Sequence, residues 1–300
     1  MSFDIAGKQI YDSFIHASKM LQQEKEKLNS LNHFPVADKD TGINMSLTMK
    51  NTADHLTGNG TPSQILENAY LNLLEFSHGN SGTILTLFFE GFKNKIPCSD
   101  RIGGRDLALA IENGAKTAFN GVMDPMPGTI LTVAMRSAVA GISMLEITED
   151  AGQIMKRISD EAHAALMQTP FQNLTLQPHK IVDSGALGFC LIMDGFLSGI
   201  APELKVEPYP SLKLPDSSEN RATELLYRYC TEFLIRLNQD ENIELFREET
   251  QSLGKYFVIT TNGSLCKVHI HTDMPEKVLS LASQYGIIKS SKVDDMLLQL

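Results

Sequence analysis

The sequence has no tryptophan and only four cysteines, Cys98, Cys190, Cys230 and Cys266, which are widely spaced and form no Cys-x-x-Cys pair. This spacing predicts neither a disulfide framework nor a zinc ribbon. The longest apolar stretches, such as residues 185–193, are too short to span a bilayer, and the N-terminus lacks a signal-peptide core. We therefore expect a cytoplasmic protein without a membrane span.

Positive charge is also scarce, because 26 Lys and Arg residues oppose 36 Asp and Glu residues, which gives a formal net charge of -10. Phosphate backbones and anionic lipids repel a chain this acidic. Nucleic acid and membrane surfaces are therefore not expected as main partners. The length of 300 residues exceeds the usual size of one domain and predicts two.

Apolar residues recur at helical spacing in the first two hundred residues, as in Ile10, Phe14, Ala17 and Leu21. Similar patterns follow one another up to residue 200, and Gly, Pro or Asn separates each from the next. We predict a mainly α-helical N-terminal domain over residues 1–203.

The composition changes after this region. Prolines fall close together among Ser, Lys and Glu residues, which predicts a linker over residues 204–220. Beyond it, segments rich in aromatic and β-branched residues alternate with helical patterns in the order strand, helix, strand, strand, helix, and residues 287–292 could add a last strand. Asn262 and Gly263 mark a hairpin. This order predicts a smaller α+β domain of ferredoxin-like type over residues 221–300.

Two aspartates, Asp38 and Asp40, stand one residue apart in a segment that is otherwise rich in turn-forming residues. Carboxylates this close repel each other unless a cation lies between them, and Mg²⁺ prefers oxygen ligands beside bound phosphate. The segment therefore indicates a magnesium site. An acidic turn that caps a helix is an equally good interpretation of the local pattern.

Two further segments, residues 79–82 and 125–129, fit the same chemistry, and a third, residues 183–185, joins them through the family resemblance described next, although each has an ordinary structural interpretation. Residues 79–82, Gly-Asn-Ser-Gly, could approach phosphate through backbone N–H groups, but alone they are better explained as a helix N-cap. Residues 127–129, Pro-Gly-Thr, and residues 183–185, Asp-Ser-Gly, are by themselves a helix start and a turn before a helix. Their occurrence together with the aspartate pair favours a nucleotide site.

In this order, the four segments closely resemble the ATP-binding L-subunit family of dihydroxyacetone kinases. Within this family, two features are most similar to the catalytic subunits of bacterial fatty acid kinases. They are the segment Phe34-Pro35-Val36, which precedes the aspartate pair, and the loop of residues 79–82. The likeness continues through residues 229–233 and 267–272, which look like the middle domain of those subunits. It implies an N-terminal barrel of eight antiparallel helices with nucleotide at one end, which agrees with the helical periodicity.

The resemblance also implies ligands for magnesium and for nucleotide. Asp38 and Asp40 would bind Mg²⁺, two ions of which are expected with ATP or ADP, and Asn32 is the candidate for a third ligand. The residues that would contact the nucleotide are Thr41, Gly42, Asn44, Asn80, Ser81, Gly82, Gly128, Thr129, Asp183, Ser184 and Gly185.

A second metal site is indicated in the smaller domain. His269 and His271 alternate on a predicted strand, so both point to one face, where Cys230 could meet them from a neighbouring strand. These three could hold Zn²⁺ with water or another residue as fourth ligand, and a solvent-facing histidine pair beside a buried cysteine is the alternative. Cys266 would point away from the pair. We expect any zinc to be structural, because the zinc and nucleotide sites are predicted on different domains.

The resemblance implies an ATP- and Mg²⁺-dependent kinase that phosphorylates the carboxylate of a fatty acid held by a DegV-like carrier protein, and it leaves a homodimer open. Since that carboxylate is already ionised at neutral pH, no general base is required. One alternative is a dihydroxyacetone-type kinase subunit. Another is a nucleotide-binding regulatory module with weakened catalysis, which is suggested by Lys39, a cation where the family usually has glycine.

Overall fold

The computed structural model describes residues 4–34, 36–206, 212–214, 226–238 and 242–298. Most of the predicted linker, residues 204–220, lies outside the described residues. Within the described part, no helix combines the length and apolar character needed to cross a membrane.

Eight helices of 15 to 18 residues make up most of the N-terminal domain. They are α1 (Gly7–Gln23), α3 (Thr41–His55), α4 (Pro62–Phe76), α5 (Gly79–Lys93), α6 (Gly104–Gly121), α7 (Ile130–Met144), α8 (Ala151–Leu166) and α10 (Ser184–Ile200). Two short helices, α2 (Lys25–Leu31) and α9 (Thr169–Gln172), lie between long ones. Two short strands, β1 (Ile5–Ala6) and β2 (Arg101–Ile102), pair with each other in a two-stranded antiparallel ribbon.

The long helices form a closed ring. Each packs against the next long helix along the chain, and α10 packs against both α8 and α1. Apolar side chains fill the interior, where the ring of Phe14 lies 5.0 Å from that of Phe89 and 5.3 Å from that of Phe196. The predicted eight-helix barrel is therefore confirmed.

The order of the helices around the ring determines at which end of the barrel each helix begins. Because neighbouring helices in an antiparallel ring run in opposite directions, α3, α5, α7 and α10 begin at one end and the other four begin at the opposite end. The N-terminus of a helix carries a partial positive charge and unpaired N–H groups. Four such ends therefore converge, and the four motifs of the sequence analysis lie there.

The second domain has the predicted order of elements with a complete last strand. It contains β3 (Tyr229–Leu237), α11 (Ile243–Gln251), β4 (Lys255–Asn262), β5 (Leu265–Thr272), α12 (Pro275–Tyr285) and β6 (Gly286–Asp295). The antiparallel sheet has the strand order β4-β5-β3-β6, which is the ferredoxin-like arrangement. The predicted α+β fold is confirmed.

The two faces of this sheet have different neighbours. Alternate residues such as Phe233, Ile259 and Val268 pack with α11 and α12 in a separate core. The other face lies against barrel helices α4, α5 and α6. There the Tyr70 hydroxyl donates a 2.6 Å hydrogen bond to the carbonyl oxygen of Thr261, and the Thr260 hydroxyl donates one of 2.8 Å to Glu90. These bonds fix the sheet on the barrel.

Candidate active site

The Asp38–Asp40 loop is held in place by Asn32. The Asn32 amide nitrogen donates to Asp38 Oδ1 at 2.9 Å and to the Val36 carbonyl at 2.6 Å, while its oxygen accepts from the backbone N–H and the hydroxyl of Thr41. The side chain is 2% exposed. Because its oxygen already accepts two hydrogen bonds, the structure gives Asn32 a positioning role, and this argues against the predicted third metal ligand.

Lys39 has a left-handed backbone, with φ of 56°. Glycine adopts this conformation without cost, which gives a physical reason for the family's preference for glycine here. The Lys39 side chain is exposed and does not line the cavity beside the two aspartates. Among the described residues, it forms no ion pair with Asp38 or Asp40.

The two carboxylates compete for a proton. Burial, the negative charge of Asp40 and a hydrogen bond to Asp40 together raise the pKa of Asp38 to about 8. Burial also raises the pKa of Asp40, although hydrogen bonds from Asn44 and Asp38 oppose the rise. A bound divalent cation would remove this conflict, because both carboxylates could then ionise.

The start of α5 forms the next part of the site. Gly79 has φ of 66°, and a Cβ atom there would collide with the Asn44 side chain, so this turn requires glycine. Asn44 is thereby held between the aspartate loop and α5. Asn80 and Ser81 follow in the first turn of the helix, where backbone N–H groups are available to an anion.

Two adjoining cavities cover this end of the barrel. The first contains the aspartate pair, and the second lies toward α7 and α10. Thr41, Asn80 and Ser81 line both. An elongated ligand with one polar and one less polar part could therefore occupy the two cavities together.

The second cavity combines apolar walls with a few polar groups. Ile84, Ile130 and Leu131 supply apolar surface, and Thr129 and Asp183 supply oxygen atoms. Asp183 caps α10 by accepting a 2.7 Å hydrogen bond from the backbone N–H of Ala186, and burial raises its pKa to about 7. Gly185 lies in the same wall. This mixture suits a nucleoside.

Four predicted nucleotide residues do not line either cavity. Gly42 packs against α2, Gly82 packs against Thr48, and Gly128, at φ of 71°, packs against α9. The Ser184 hydroxyl donates a 2.6 Å hydrogen bond to the carbonyl oxygen of Leu28. These residues shape the site through backbone packing and hydrogen bonding, and their contact with a nucleotide stays a prediction.

The cysteine and histidine residues of the second domain do come together. Cys230, His269 and His271 each offer one ligand atom within 4.8 Å of the others. Burial and the nearby His269 lower the pKa of His271 to about 3, which keeps its imidazole neutral and able to bind a metal. Cys266 lies on the opposite face, in the core shared with α11 and α12.

Glu232 orients one of these histidines. Its carboxylate accepts a 3.0 Å hydrogen bond at His269 Nδ1, and His269 Nε2 is buried without a hydrogen-bond partner among the described residues. A carboxylate on one ring nitrogen and a free second nitrogen is the usual arrangement of a zinc-binding histidine, although Cys230 Sγ here lies 3.8 Å from Nδ1, the nitrogen that Glu232 already engages. The donor set therefore fits Zn²⁺.

The cysteine–histidine cluster lines the same cavity as the aspartate pair. The zinc and nucleotide sites are on different domains, as expected, but both face one cavity, so their separation into two domains is no reason to call a zinc ion structural. The sheet docks on the barrel with its polar face toward Asp38 and Asp40, which brings the two sites together. Neither domain alone has this cavity.

Several residues of the two cavities were not predicted from the sequence. Glu232, Lys292 and Asp294 line the first, because β6 pairs with β3 so that Lys292 faces Glu232 and Asp294 faces Cys230. Asp124 and Tyr256 line the second. The strand alternation that selected His269 and His271 could also have selected Glu232 relative to Cys230, but the register of β6 has no local signal.

Comparisons with known proteins agree with the two-part architecture. The model of the DAK2 domain family matches residues 35–198, and that of the FakA-like middle domain of fatty acid kinase matches residues 226–300. An uncharacterized protein of Staphylococcus haemolyticus (strain JCSC1435) is 32% identical over 305 residues, which cover 97% of this chain and 55% of the relative. An uncharacterized protein of Staphylococcus aureus (strain MRSA252) is 32% identical over 306 residues, which cover 97% of this chain and 56% of the relative. The chain thus spans about half the length of the curated relatives it matches.

Replacing Asp38 by asparagine should stabilise the metal-free protein at alkaline pH. The folded-state pKa of Asp38, about 8, lies above its ordinary value of 3.8, so ionisation lowers the stability of the folded state as pH rises between these values. Asp38→Asn removes this loss, and we expect a gain of about 1–2 kcal/mol at pH 8 that disappears near pH 4. Urea unfolding in EDTA measures it.

The matched control for this experiment is Asp100→Asn, because Asp100 is exposed and lies outside both cavities. It should change the free energy of unfolding little at either pH. A wild-type protein that is more stable than Asp38→Asn at pH 8 in EDTA would contradict the repulsion between the two carboxylates.

Proposed function

Because the chain belongs to the DAK2 domain family and has a FakA-like middle domain of the fatty acid kinase type, we propose that it is the catalytic part of an ATP- and Mg²⁺-dependent kinase. We propose as its acceptor the carboxylate of a fatty acid held by a DegV-like carrier protein, which would give an acyl phosphate. The observation that carries the proposal is the half-buried Asp38–Asp40 pair, which lies where four helix N-termini converge.

Asp38 and Asp40 would hold Mg²⁺, which supplies the charge neutralisation that phosphoryl transfer needs. Asn80 and Ser81, at the start of α5, would hold phosphate oxygens in the first cavity. The second cavity would take the nucleoside, with Asp183 and Thr129 at its polar side. The shared wall of the two cavities supports this arrangement.

The second domain favours an acyl acceptor over a hydroxyketone. Its sheet forms one wall of the first cavity, where Lys292 carries a positive charge and pairs with Asp294. A carboxylate acceptor needs positioning and charge neutralisation but no base, and both are available on this wall. A dihydroxyacetone-type acceptor would have to lose a hydroxyl proton during transfer.

We further propose that Cys230, His269 and His271 bind Zn²⁺ in this wall, with Glu232 fixing the orientation of His269. The ion would supply positive charge that faces the phosphate cavity. This role is supported by the common cavity lined by the cluster and the aspartate pair.

The nucleotide proposal is tested by calorimetric titration with ATP, with and without Mg²⁺. Wild-type protein should bind ATP in a Mg²⁺-dependent manner, and Asp38→Ala and Asp40→Ala should each weaken binding by about tenfold or more, because each removes a ligand of the cation. Asp100→Ala is the matched control and should bind like wild type. Absence of ATP binding by wild-type protein at any Mg²⁺ concentration would contradict the proposed kinase site.

Trapping with hydroxylamine distinguishes the two acceptors. The product of carboxylate phosphorylation is an acyl phosphate, which hydroxylamine converts to a hydroxamate, whereas a phosphorylated hydroxyketone does not react in this way. Formation of hydroxamate only when ATP and the loaded carrier are both present supports the fatty acid proposal. Phosphorylation of dihydroxyacetone without hydroxamate would replace it by the alternative kinase.

Lys39→Gly tests the regulatory-module alternative. Because the Lys39 side chain is exposed and outside the cavity, we expect the Mg²⁺-dependent affinity for ADP to change by less than about threefold. Calorimetry on wild type and variant measures this. A much larger gain for glycine would instead identify Lys39 as a residue that weakens the site, in line with a module of reduced activity.

The zinc proposal is tested by measuring the metal content of purified protein. We expect about one zinc per chain, and a loss of most of it in Cys230→Ala, because a thiolate ligand is removed. Cys266→Ala is the matched control, since Cys266 is also in the sheet but faces the other way. Equal zinc in Cys230→Ala and wild type would contradict the site.

A further inference from the structure

Tyr256 has a backbone conformation that bulky residues rarely adopt. Its φ is 54°, in the left-handed region that favours glycine. The residue lies in β4, where the pairing with β5 shifts register between Lys255 and Val258. Such a bulge redirects a side chain, and strained residues of this kind concentrate at functional sites.

The redirected side chain lines the second cavity. Tyr256 is the contribution of the second domain to a wall otherwise formed by the barrel and its loops. Close by, Val258 pairs with Val122, which ties β4 to the loop that carries Asp124 and Met126, and both of these also line the cavity. The edge of the sheet and this loop therefore close the cavity together.

Packing within the second domain does not account for Tyr256. The side chain is half-buried, and its hydroxyl has no hydrogen-bond partner among the described residues. Its aromatic contact is with His271, whose ring centroid lies 5.2 Å away in an edge-on arrangement. The Tyr256 ring thus lies between the metal-binding cluster and the second cavity.

We propose that Tyr256 is a nucleoside-contacting residue, supplied by the second domain, whose ring packs against the base of the bound nucleotide. This inference rests on the proposed nucleotide site. Aromatic rings stack on nucleobases with a useful gain in affinity and little selectivity among bases. The phosphates would lie in the first cavity, which Tyr256 does not line, so its contribution is confined to the nucleoside.

The positive φ of Tyr256 allows the loss of its ring to be tested without a loss of protein stability. Tyr256→Gly removes the ring and at the same time relieves the backbone, because glycine adopts this conformation freely. We expect a melting temperature equal to or above that of wild type, and an affinity for Mg²⁺-ADP that is lower by about tenfold or more. Tyr256→Phe keeps the ring and should bind Mg²⁺-ADP within about threefold of wild type.

Two measurements locate the effect. The affinity for Mg²⁺-tripolyphosphate, which has no nucleoside, should be the same in wild type and Tyr256→Gly, as should the zinc content. The matched control is Tyr229→Ala, which removes a half-buried tyrosine of the same domain that lines neither cavity. It should leave the affinity for Mg²⁺-ADP unchanged.

The binding results show whether the role of Tyr256 fails alone or the whole nucleotide site fails. If wild type binds Mg²⁺-ADP and Tyr256→Gly binds it equally well, the inference is overturned and the nucleotide site stands. An equal loss for ADP and tripolyphosphate, or a loss of zinc in Tyr256→Gly, also overturns direct contact with the nucleoside. If wild type binds neither ligand, the proposed nucleotide site fails, and the inference fails with it.

Discussion

The repulsion between two half-buried carboxylates is the constraint on which the site depends. Asp38 and Asp40 are held side by side by a loop that Asn32 braces, and burial gives them little water to reduce their mutual repulsion. The surroundings offset this negative charge only in part, because the pKa of both carboxylates is still raised and Glu232 and Asp294 line the same cavity. Four helix N-termini converge at this end of the barrel, and Lys292 and the cysteine–histidine cluster of the second domain face it from across the cavity. A site built this way favours cations and phosphates over neutral ligands.

Much of the fold could be predicted from the sequence because its signals are local. Helical periodicity identified the barrel, the Asn262-Gly263 turn identified the hairpin, and the family resemblance carried by the ordered motifs was confirmed. The short helix α2 and the ribbon of β1 and β2 were not predicted. Each is too short for a repeating pattern of apolar residues to be recognised in its sequence.

The site could be predicted only in part, because residues that share a motif need not share a surface. Asn80 and Ser81 line the cavities, but Gly82, the next residue, packs against Thr48. Tyr256 lines a cavity because of a bulge in β4, and Lys292 does so because of the register between β3 and β6. Both also depend on the docking of the second domain on the barrel. None of these has a signal within a few residues of the side chain concerned. The sequence therefore led to the barrel side of the cavities and to the cysteine–histidine cluster, and the remaining residues of the wall supplied by the second domain were missed.

The closed antiparallel ring has a consequence for how such a barrel can change in evolution. Since neighbouring helices alternate in direction, the ring closes only with an even number of them. A single inserted or deleted helix would leave two parallel neighbours at one seam, whereas a hairpin of two helices preserves the alternation. Each inserted hairpin of two helices would add one helix N-terminus at the end of the barrel where α3, α5, α7 and α10 begin. The circumference of the barrel and the number of anion-binding termini are therefore tied to each other by topology, independently of which residues occupy the loops.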